Sequence, residues 1–295
     1  MTSKTKATIY VLICVGLWAL IPVVSKLGQA NLDNHQFLFW SSLVSFIAFV
    51  IATVSVKQSK TFLIYKSKDW LNAIYLGFLG TYLYYILLYF GYANAQGLEV
   101  LVIQYSWPIF IVLLSILILK EKLTIKRSLA VLFGFIGVLL VLTKGDFSNI
   151  HLENFSVDIL VIVAAFSFAL FSVLSKKVHL EAYTMITIYF LTATVASFVS
   201  MLWFSEFAPP TTEALMPILI NGIFVNGYSY IFWIKALKES EASFIAPFVF
   251  LTPVASAFYL IVFFKEPFLP IYGFGLLAVI IGGLLNNKEK GANIS

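Results

Sequence analysis

Charged residues in this chain fall in short clusters, and the uncharged runs between them set the elements. The runs cover residues 7–25, 36–56, 70–98, 100–119, 128–143, 159–175, 182–205, 214–234, 242–264 and 267–287. A helix rises ~1.5 Å per residue, so about 20 apolar residues cross the hydrocarbon of a bilayer, with roughly 17 as the lower end. The pattern therefore predicts ten spans. The shortest runs, of 16 and 17 residues, reach full length by taking in flanking residues.

Composition agrees with this reading. Hydrophobic residues make up 61% and charged residues 11%, with a mean hydropathy of +0.96. A soluble domain carries about 25% charged residues, so this chain has too few to cover a surface in water. The connecting segments are short and leave no mass for a soluble domain. Nine similar spans follow the first, and no small-residue cleavage site appears, so the first span reads as a helix and not as a cleaved leader. Cys14 is the single cysteine; it excludes an intrachain disulfide and a cysteine metal cluster.

The net charge of +5 could suggest nucleic acid, but its placement points to topology. With the N-terminus inside and ten alternating spans, 16 of the 19 basic residues face the inside. Only Lys26, Lys144 and Lys265 remain outside. Basic residues in short loops set orientation in this way. Both termini are expected to be cytoplasmic, in a multi-pass protein of the plasma or inner membrane, with the lipid bilayer and a small-molecule substrate as partners and no nucleic acid.

The two halves resemble each other. WALIPVVSK at 18–26 matches FALFSVLSK at 168–176 at an offset of 150, and at an offset of 145 Pro108 meets Pro253, Lys120-Glu121 meets Lys265-Glu266, and Gly137 meets Gly282. Five spans per half is an odd number, so the second copy lies upside down, a plan shared by many secondary transporters. The repeats are expected at 1–145 and 155–287, with a cytoplasmic tail at 288–295. Gly134 with Gly137, and Gly282 with Gly283, suit close helix packing. That packing reads as intramolecular and the protein as a functional monomer, with dimerisation left open.

YSWPIFIVLLSILILKEKLTIKRSLAVLFGFIGVLLVL and FLTPVASAFYLIVFFKEPFLPIYGFGLLAVIIGGLL resemble the "P … (K/G)E … G … G" end of the EamA domain, the unit of the drug/metabolite transporter superfamily. The resemblance covers essentially the whole chain and implies an all-α membrane protein of ten helices in two inverted repeats. GYANAQGLEVLVIQYSWP is similar to the same region of YddG-type exporters of aromatic amino acids and methyl viologen, and Trp233, 20 residues before Pro253, matches that branch too. This narrower resemblance implies a central cavity lined by aromatics from the first, third, fourth, sixth and eighth spans. Tyr82, Tyr105, Trp107 and Phe168 sit where that branch places cavity aromatics, Phe168 standing in place of its usual Trp.

The residues themselves outline a pathway. In the third span Tyr75, Phe78, Tyr82, Tyr85, Tyr89 and Tyr92 follow steps of three and four and share one face of an α-helix, with Tyr84 off it. Two readings fit: a cavity wall through Tyr82, Tyr85 and Tyr89, or helix packing with each hydroxyl satisfied locally. In the fourth span Pro108 removes the helical donor from the carbonyl of Gln104, beside Tyr105 and Trp107. Bare acceptors at membrane depth belong beside a wet cavity or a buried partner. The ninth span mirrors this with Pro247 and Pro253. Trp18, its mate Phe168, and Asn226, Tyr230 and Trp233 at helical spacing complete the candidate set. Aromatic faces hold a cation for ~0.5–2 kcal/mol per contact, which suits aromatic or aliphatic amino acids and flat organic cations.

Glu99 opens the fourth span, and its first reading is stabilisation of the helix N-terminus through the dipole; proton coupling is the second. No acid sits mid-span, where proton relays usually lie, which favours facilitated movement. Glu121 and Glu266 are expected to anchor helix ends at the interface. An enzyme would need a nucleophile–base pair or a metal motif, and His35, His151 and His179 stand in or beside loops far apart in sequence. No cofactor or metal is expected. The chain is thus expected to export, or to facilitate movement of, amino acids and flat cations by alternating access. Carriage of S-adenosylmethionine or a nucleoside-like solute, and a channel, are the alternatives.

Overall fold

The computed structural model describes residues 1–95, 97–149, 154–265 and 268–287; His151, Glu266 and the tail at 288–295 lie outside them. The described residues form no strand. Ten helical spans follow the uncharged runs: α1 (Ser3–Trp18 and Ile21–Gly28), α2 (Asn34–Ser55), α3 (Ser67–Gly77, Phe78–Leu83 and Tyr84–Asn94), α4 (Gly97–Gln104 and Trp107–Leu119), α5 (Ile125–Leu142), α6 (Phe155–Lys177), α7 (Ala182–Phe204), α8 (Thr212–Ile220, Asn221–Tyr228 and Ser229–Glu239), α9 (Ala242–Ile245, Ala246–Phe250 and Leu251–Phe264) and α10 (Ile271–Asn287). Among the described residues nine are long and apolar enough to cross a bilayer, and α10 adds a shorter apolar stretch, Ile271–Leu285. Side-chain caps start several of them. Asp33 and Gln36 form a capping box on α2, Thr124 caps α5, and Glu181 accepts from the amides of Tyr183 and Thr184 on α7.

The repeat is visible in the packing. The second helix of each half packs against its mate, α2 on α7, and so does the fifth, α5 on α10, while α1 lies on α8 and α6 on α3. The α5–α10 seam is backbone against backbone: a Cβ on Gly137 would lie 2.7 Å from the Gly275 carbonyl oxygen. Lys120 and Lys265, repeat mates, end α4 and α9 in the same left-handed conformation, at φ 60° and 55°.

The middles of α3 and α8 are π-helical, at Phe78–Leu83 and Asn221–Tyr228, again at matching positions. A π-turn leaves carbonyls poorly served by the helix, and inside a membrane these need partners. Hydroxyls supply them. Ser167 Oγ donates to the Leu79 carbonyl at 2.8 Å, Tyr230 OH to Gly80 at 2.8 Å, and Ser45 Oγ to Gly222 at 2.7 Å. These bonds tie α6, α8 and α2 to the wound segments.

The π-segment also shifts the register of α3 and corrects the tyrosine stripe. Tyr75, before it, and Phe78, at its first position, are exposed on the outer surface of the bundle. Tyr82 is half-buried against Phe78, with ring centroids 5.4 Å apart, while Tyr84, Tyr85 and Tyr89, after it, turn inward and are buried. One α-helical face thus becomes two faces, one toward lipid and one toward the interior.

Candidate functional site

Three helices break at the centre of the bundle. In α1 the break is at Ala19–Leu20, in α4 at Tyr105–Ser106, and in α9 a 3₁₀ stretch at Ala246–Phe250 takes its place. Each break precedes a proline: Pro22 follows Trp18 by four residues, Pro108 follows Gln104, and Pro253 follows Val249. A proline has no N–H, so each removes the i+4 donor from the carbonyl four residues before it. All three of those residues line one pocket.

That pocket is lined by Trp18, Ile21, Tyr84, Tyr85, Gln104, Tyr105, Trp107, Phe168, Val249 and Thr252. It is continuous, through Trp18, Ile21, Gln104 and Tyr105, with a cavity of about 340 Å³ bounded by Tyr89, Tyr92, Pro253 and Ser256. The cavity reaches the exposed residues Lys26 and Ala30, so it opens at the end of the bundle opposite the N-terminus. Among the described lining residues Lys26 is the one charged side chain, and none is a carboxylate.

Aromatic rings form the pocket's floor. Phe168 stands at the centre, with ring centroids 4.8 Å from Tyr84, 5.0 Å from Trp107, 5.9 Å from Trp18 and 6.4 Å from Trp233. Most of these contacts are edge-to-face or tilted, the geometry that aromatic quadrupoles favour. Trp18 Nε1 donates to Ser229 Oγ at 2.8 Å and Trp233 Nε1 to Ser172 Oγ at 3.0 Å, which fixes both indoles. On the polar wall the Gln104 amide is held at both ends. It accepts from Tyr92 OH at 3.0 Å and donates to Tyr84 OH at 2.7 Å. Thr252 Oγ1 is buried without a hydrogen-bond partner.

The expected residues divide in two. Trp18, Tyr85, Tyr89, Gln104, Tyr105, Trp107, Phe168 and Pro253 line the cavity. Tyr82, Asn226, Tyr230, Trp233, Pro108 and Pro247 do not. Tyr82 is turned away by the π-segment, and Asn226 lies buried within the one in α8. Tyr230 is spent on the Gly80 carbonyl and Trp233 lies beneath Trp18 at 5.3 Å. Pro108 and Pro247 act through the backbone they interrupt. Tyr84, set aside on α-helical spacing, is on the wall, as are Ile21, Thr252 and Ser256. The Trp18–Pro22 spacing, the same as Gln104–Pro108, was the available signal for the break in α1. Glu99 is buried in the first turn of α4, off the cavity wall.

The opposite end is sealed by charge. Glu121 accepts from the amides of Ala242 and Ser243 at 2.8 and 2.9 Å and from Ser243 Oγ at 2.6 Å, so it caps α9. The helix end it anchors is therefore the start of α9: the left-handed turn at Lys120 carries it inward, where it is 9% exposed. Arg127 donates to Ser243 Oγ at 2.7 Å and pairs with Glu241. Lys176 Nζ donates to the carbonyls of Leu237, at 2.6 Å, and Ser240, at the end of α8. A cavity open at one end and sealed at the other, inside a ten-helix bundle of two inverted repeats, defines a membrane transporter.

Residues 5–143 and 155–288 each match the model of the EamA-like transporter family, and the chain belongs to that family. It is 22% identical to an uncharacterized transporter of Archaeoglobus fulgidus, over 88% of this chain and 89% of that one. It is also similar to S-adenosylmethionine uptake transporters, among them one of Rickettsia felis at 30% identity over 61% of this chain and 62% of that protein. One solved crystal structure shares the fold with a TM-score of 0.85 at 16% identity, covering 96% of this chain and 97% of its own. No branch of the family is singled out by these relatives.

Proposed function

We propose that this chain moves amino acids, aromatic or other neutral, and flat organic cations across the plasma or inner membrane as a facilitative carrier. The observation that carries this reading is the aromatic cavity itself. It runs from an open mouth to mid-bundle, within the ~300 Å³ and upward of small-molecule sites, and ends on Phe168 and its ring of indoles. Tyr85, Tyr89, Tyr105, Trp18, Trp107 and Phe168 supply apolar area and π-faces, while Gln104 and Thr252 supply polar anchors. Orientation by the basic residues puts both termini in the cytoplasm, so the mouth faces outward and the sealed end inward. Alternating access then requires the charged seal to open as the mouth closes.

The cavity wall has no carboxylate among the described residues, which supports movement down the solute's own gradient. The test is flux of tryptophan, methyl viologen and S-adenosylmethionine into proteoliposomes, with and without an imposed pH gradient. The expected result is saturable flux of at least one solute, with counterflow, independent of the pH gradient and retained in Glu99→Gln. Flux that depends strictly on the gradient and is lost in Glu99→Gln would overturn the facilitative reading. Flux without counterflow would favour a channel.

The Rickettsia relatives favour S-adenosylmethionine as a second reading. Its adenine is flat and its sulfonium is a cation, so the same cavity suits it. Competition among the three solutes separates the readings.

A further inference from the structure

We propose that Thr252 is a specificity-determining residue of the cavity, whose hydroxyl accepts an N–H from a primary ammonium, so that solutes with an amino group are held in preference to permanently alkylated cations. The proposal rests on the carrier reading above and narrows the solutes it admits.

Hydroxyls inside these helices bond back to the carbonyl one turn earlier. Thr194 Oγ1 donates to Phe190 at 2.7 Å, Ser172 Oγ to Phe168 at 2.8 Å and Ser45 Oγ to Ser41 at 2.9 Å. Thr252 does not. The carbonyl four residues before it, that of Phe248, belongs to the 3₁₀ stretch Ala246–Phe250 and receives the Leu251 amide instead. With three residues per turn, such a stretch rotates the carbonyl off the line where an α-helical hydroxyl would find it. Thr252 is 4% exposed, and its Oγ1 is buried without a hydrogen-bond partner. Among the described residues lining the two parts of the cavity, it is the one side chain with such an atom. A buried hydroxyl left unpaired costs free energy, so a solute that pairs with it on binding recovers what folding left unmade.

The surroundings of the hydroxyl decide which group pairs with it. Thr252 is the repeat mate of Trp107 at the offset of 145, and both line the deep pocket with Trp18 and Phe168. Aromatic faces are negative and favour a cation. The carbonyls of Trp18, Gln104 and Val249, which Pro22, Pro108 and Pro253 deprive of an α-helical donor, belong to residues of the same wall and can only accept. No charged side chain stands among the described lining residues of that deep pocket. An ammonium leaving water must keep its three N–H donors paired, and a hydroxyl, carbonyl oxygens and π-faces are the partners available. A quaternised nitrogen finds the π-faces but has no hydrogen to give, so it leaves Thr252 unpaired.

Thr252→Val keeps the side-chain shape and removes the hydroxyl, while Thr252→Ser keeps the hydroxyl. Titration calorimetry of the purified protein compares two solutes that carry a primary ammonium, tryptophan and S-adenosylmethionine, with two whose charged nitrogens bear no hydrogen, methyl viologen and Nα-trimethyltryptophan. Thr252→Val should weaken the first pair about tenfold, the scale of one hydrogen bond to a charged group, and should shift the second pair by about twofold or less. Thr252→Ser should stay near the wild type for all four. Wild-type protein should bind tryptophan about tenfold more tightly than its trimethyl derivative, a gap that Thr252→Val narrows. An equal loss for all four solutes would show that Thr252 only shapes the pocket. That result, an unchanged affinity for the ammonium pair in Thr252→Val, or a wild type that prefers the alkylated pair would overturn the proposal and leave the carrier reading standing. If none of the four bound to or crossed with the wild type, the carrier reading would fail and this assignment with it.

Discussion

The register shift in α3 puts Tyr84, and not Tyr82, on the wall of the proposed binding cavity, and alanine at each position tests whether it serves a ligand there. Tyr84→Ala removes the hydroxyl that accepts from Gln104 Nε2 at 2.7 Å and a ring with centroids 4.8 Å from both Phe168 and Tyr85. The hydrogen bond contributes about 1 kcal/mol net and each ring pair about 0.5–1.5 kcal/mol. The loss is therefore about 2–4 kcal/mol, shared between the empty and the loaded protein. If half falls on binding, affinity drops by about five- to thirtyfold. Tyr84→Phe isolates the hydroxyl and should weaken binding by about fivefold at most. Tyr82→Ala loses the ring contact with Phe78 and some packing against the core, none of it on the cavity wall, so binding should change by about 0.5 kcal/mol or less. The assay is titration calorimetry of purified protein with tryptophan, methyl viologen or S-adenosylmethionine, using whichever binds. If Tyr82→Ala weakened binding more than Tyr84→Ala, the π-segment would not set the register claimed for it.

Two further outcomes follow from the packing. A Cβ at Gly137 would lie 2.7 Å from the Gly275 oxygen, whereas one at Gly16 would meet nothing within 4 Å. Gly137→Ala should lower the thermal midpoint through overpacking of about 1–3 kcal/mol, and Gly16→Ala should leave it unchanged or slightly raised; equal midpoints would refute the seam. At the sealed end, Glu121→Ala leaves the Ala242 and Ser243 amides without their partner, at about 1–3 kcal/mol each. Glu121→Gln retains one acceptor, so midpoints should fall in the order wild type, Gln, Ala, and indistinguishable variants would show that the cap contributes nothing.

The membrane plan was legible in the sequence because it is written in charge. The run at 182–205 is helix Ala182–Phe204 to within one residue, and 128–143 becomes Ile125–Leu142 by taking in Lys126 and Arg127 at the end of the bundle. About half of the candidate site was legible for a related reason, since proline beside polar and aromatic residues marks a break wherever it occurs. What stayed hidden is set by geometry with no hydropathic trace. A π-turn adds one residue without changing composition, so α-helical spacing exchanged Tyr82 for Tyr84. The role of Glu121 depends on a contact with residues 121 and 122 positions further along the chain, which no local pattern encodes.

The wall of the cavity is chemically lopsided. Gln104, Tyr105 and Trp107 of α4 have as their repeat equivalents Val249, Phe250 and Thr252 of α9, so two helices of matching shape present different surfaces to whatever lies between them. A solute entering such a space cannot tumble freely, because its hydrogen-bonding groups find satisfaction mainly on one flank. On the proposed carrier reading, the duplicated architecture would let opening and closing stay two-fold while recognition is one-fold. On that reading selectivity would change through substitutions in α4 that leave the α5–α10 seam untouched.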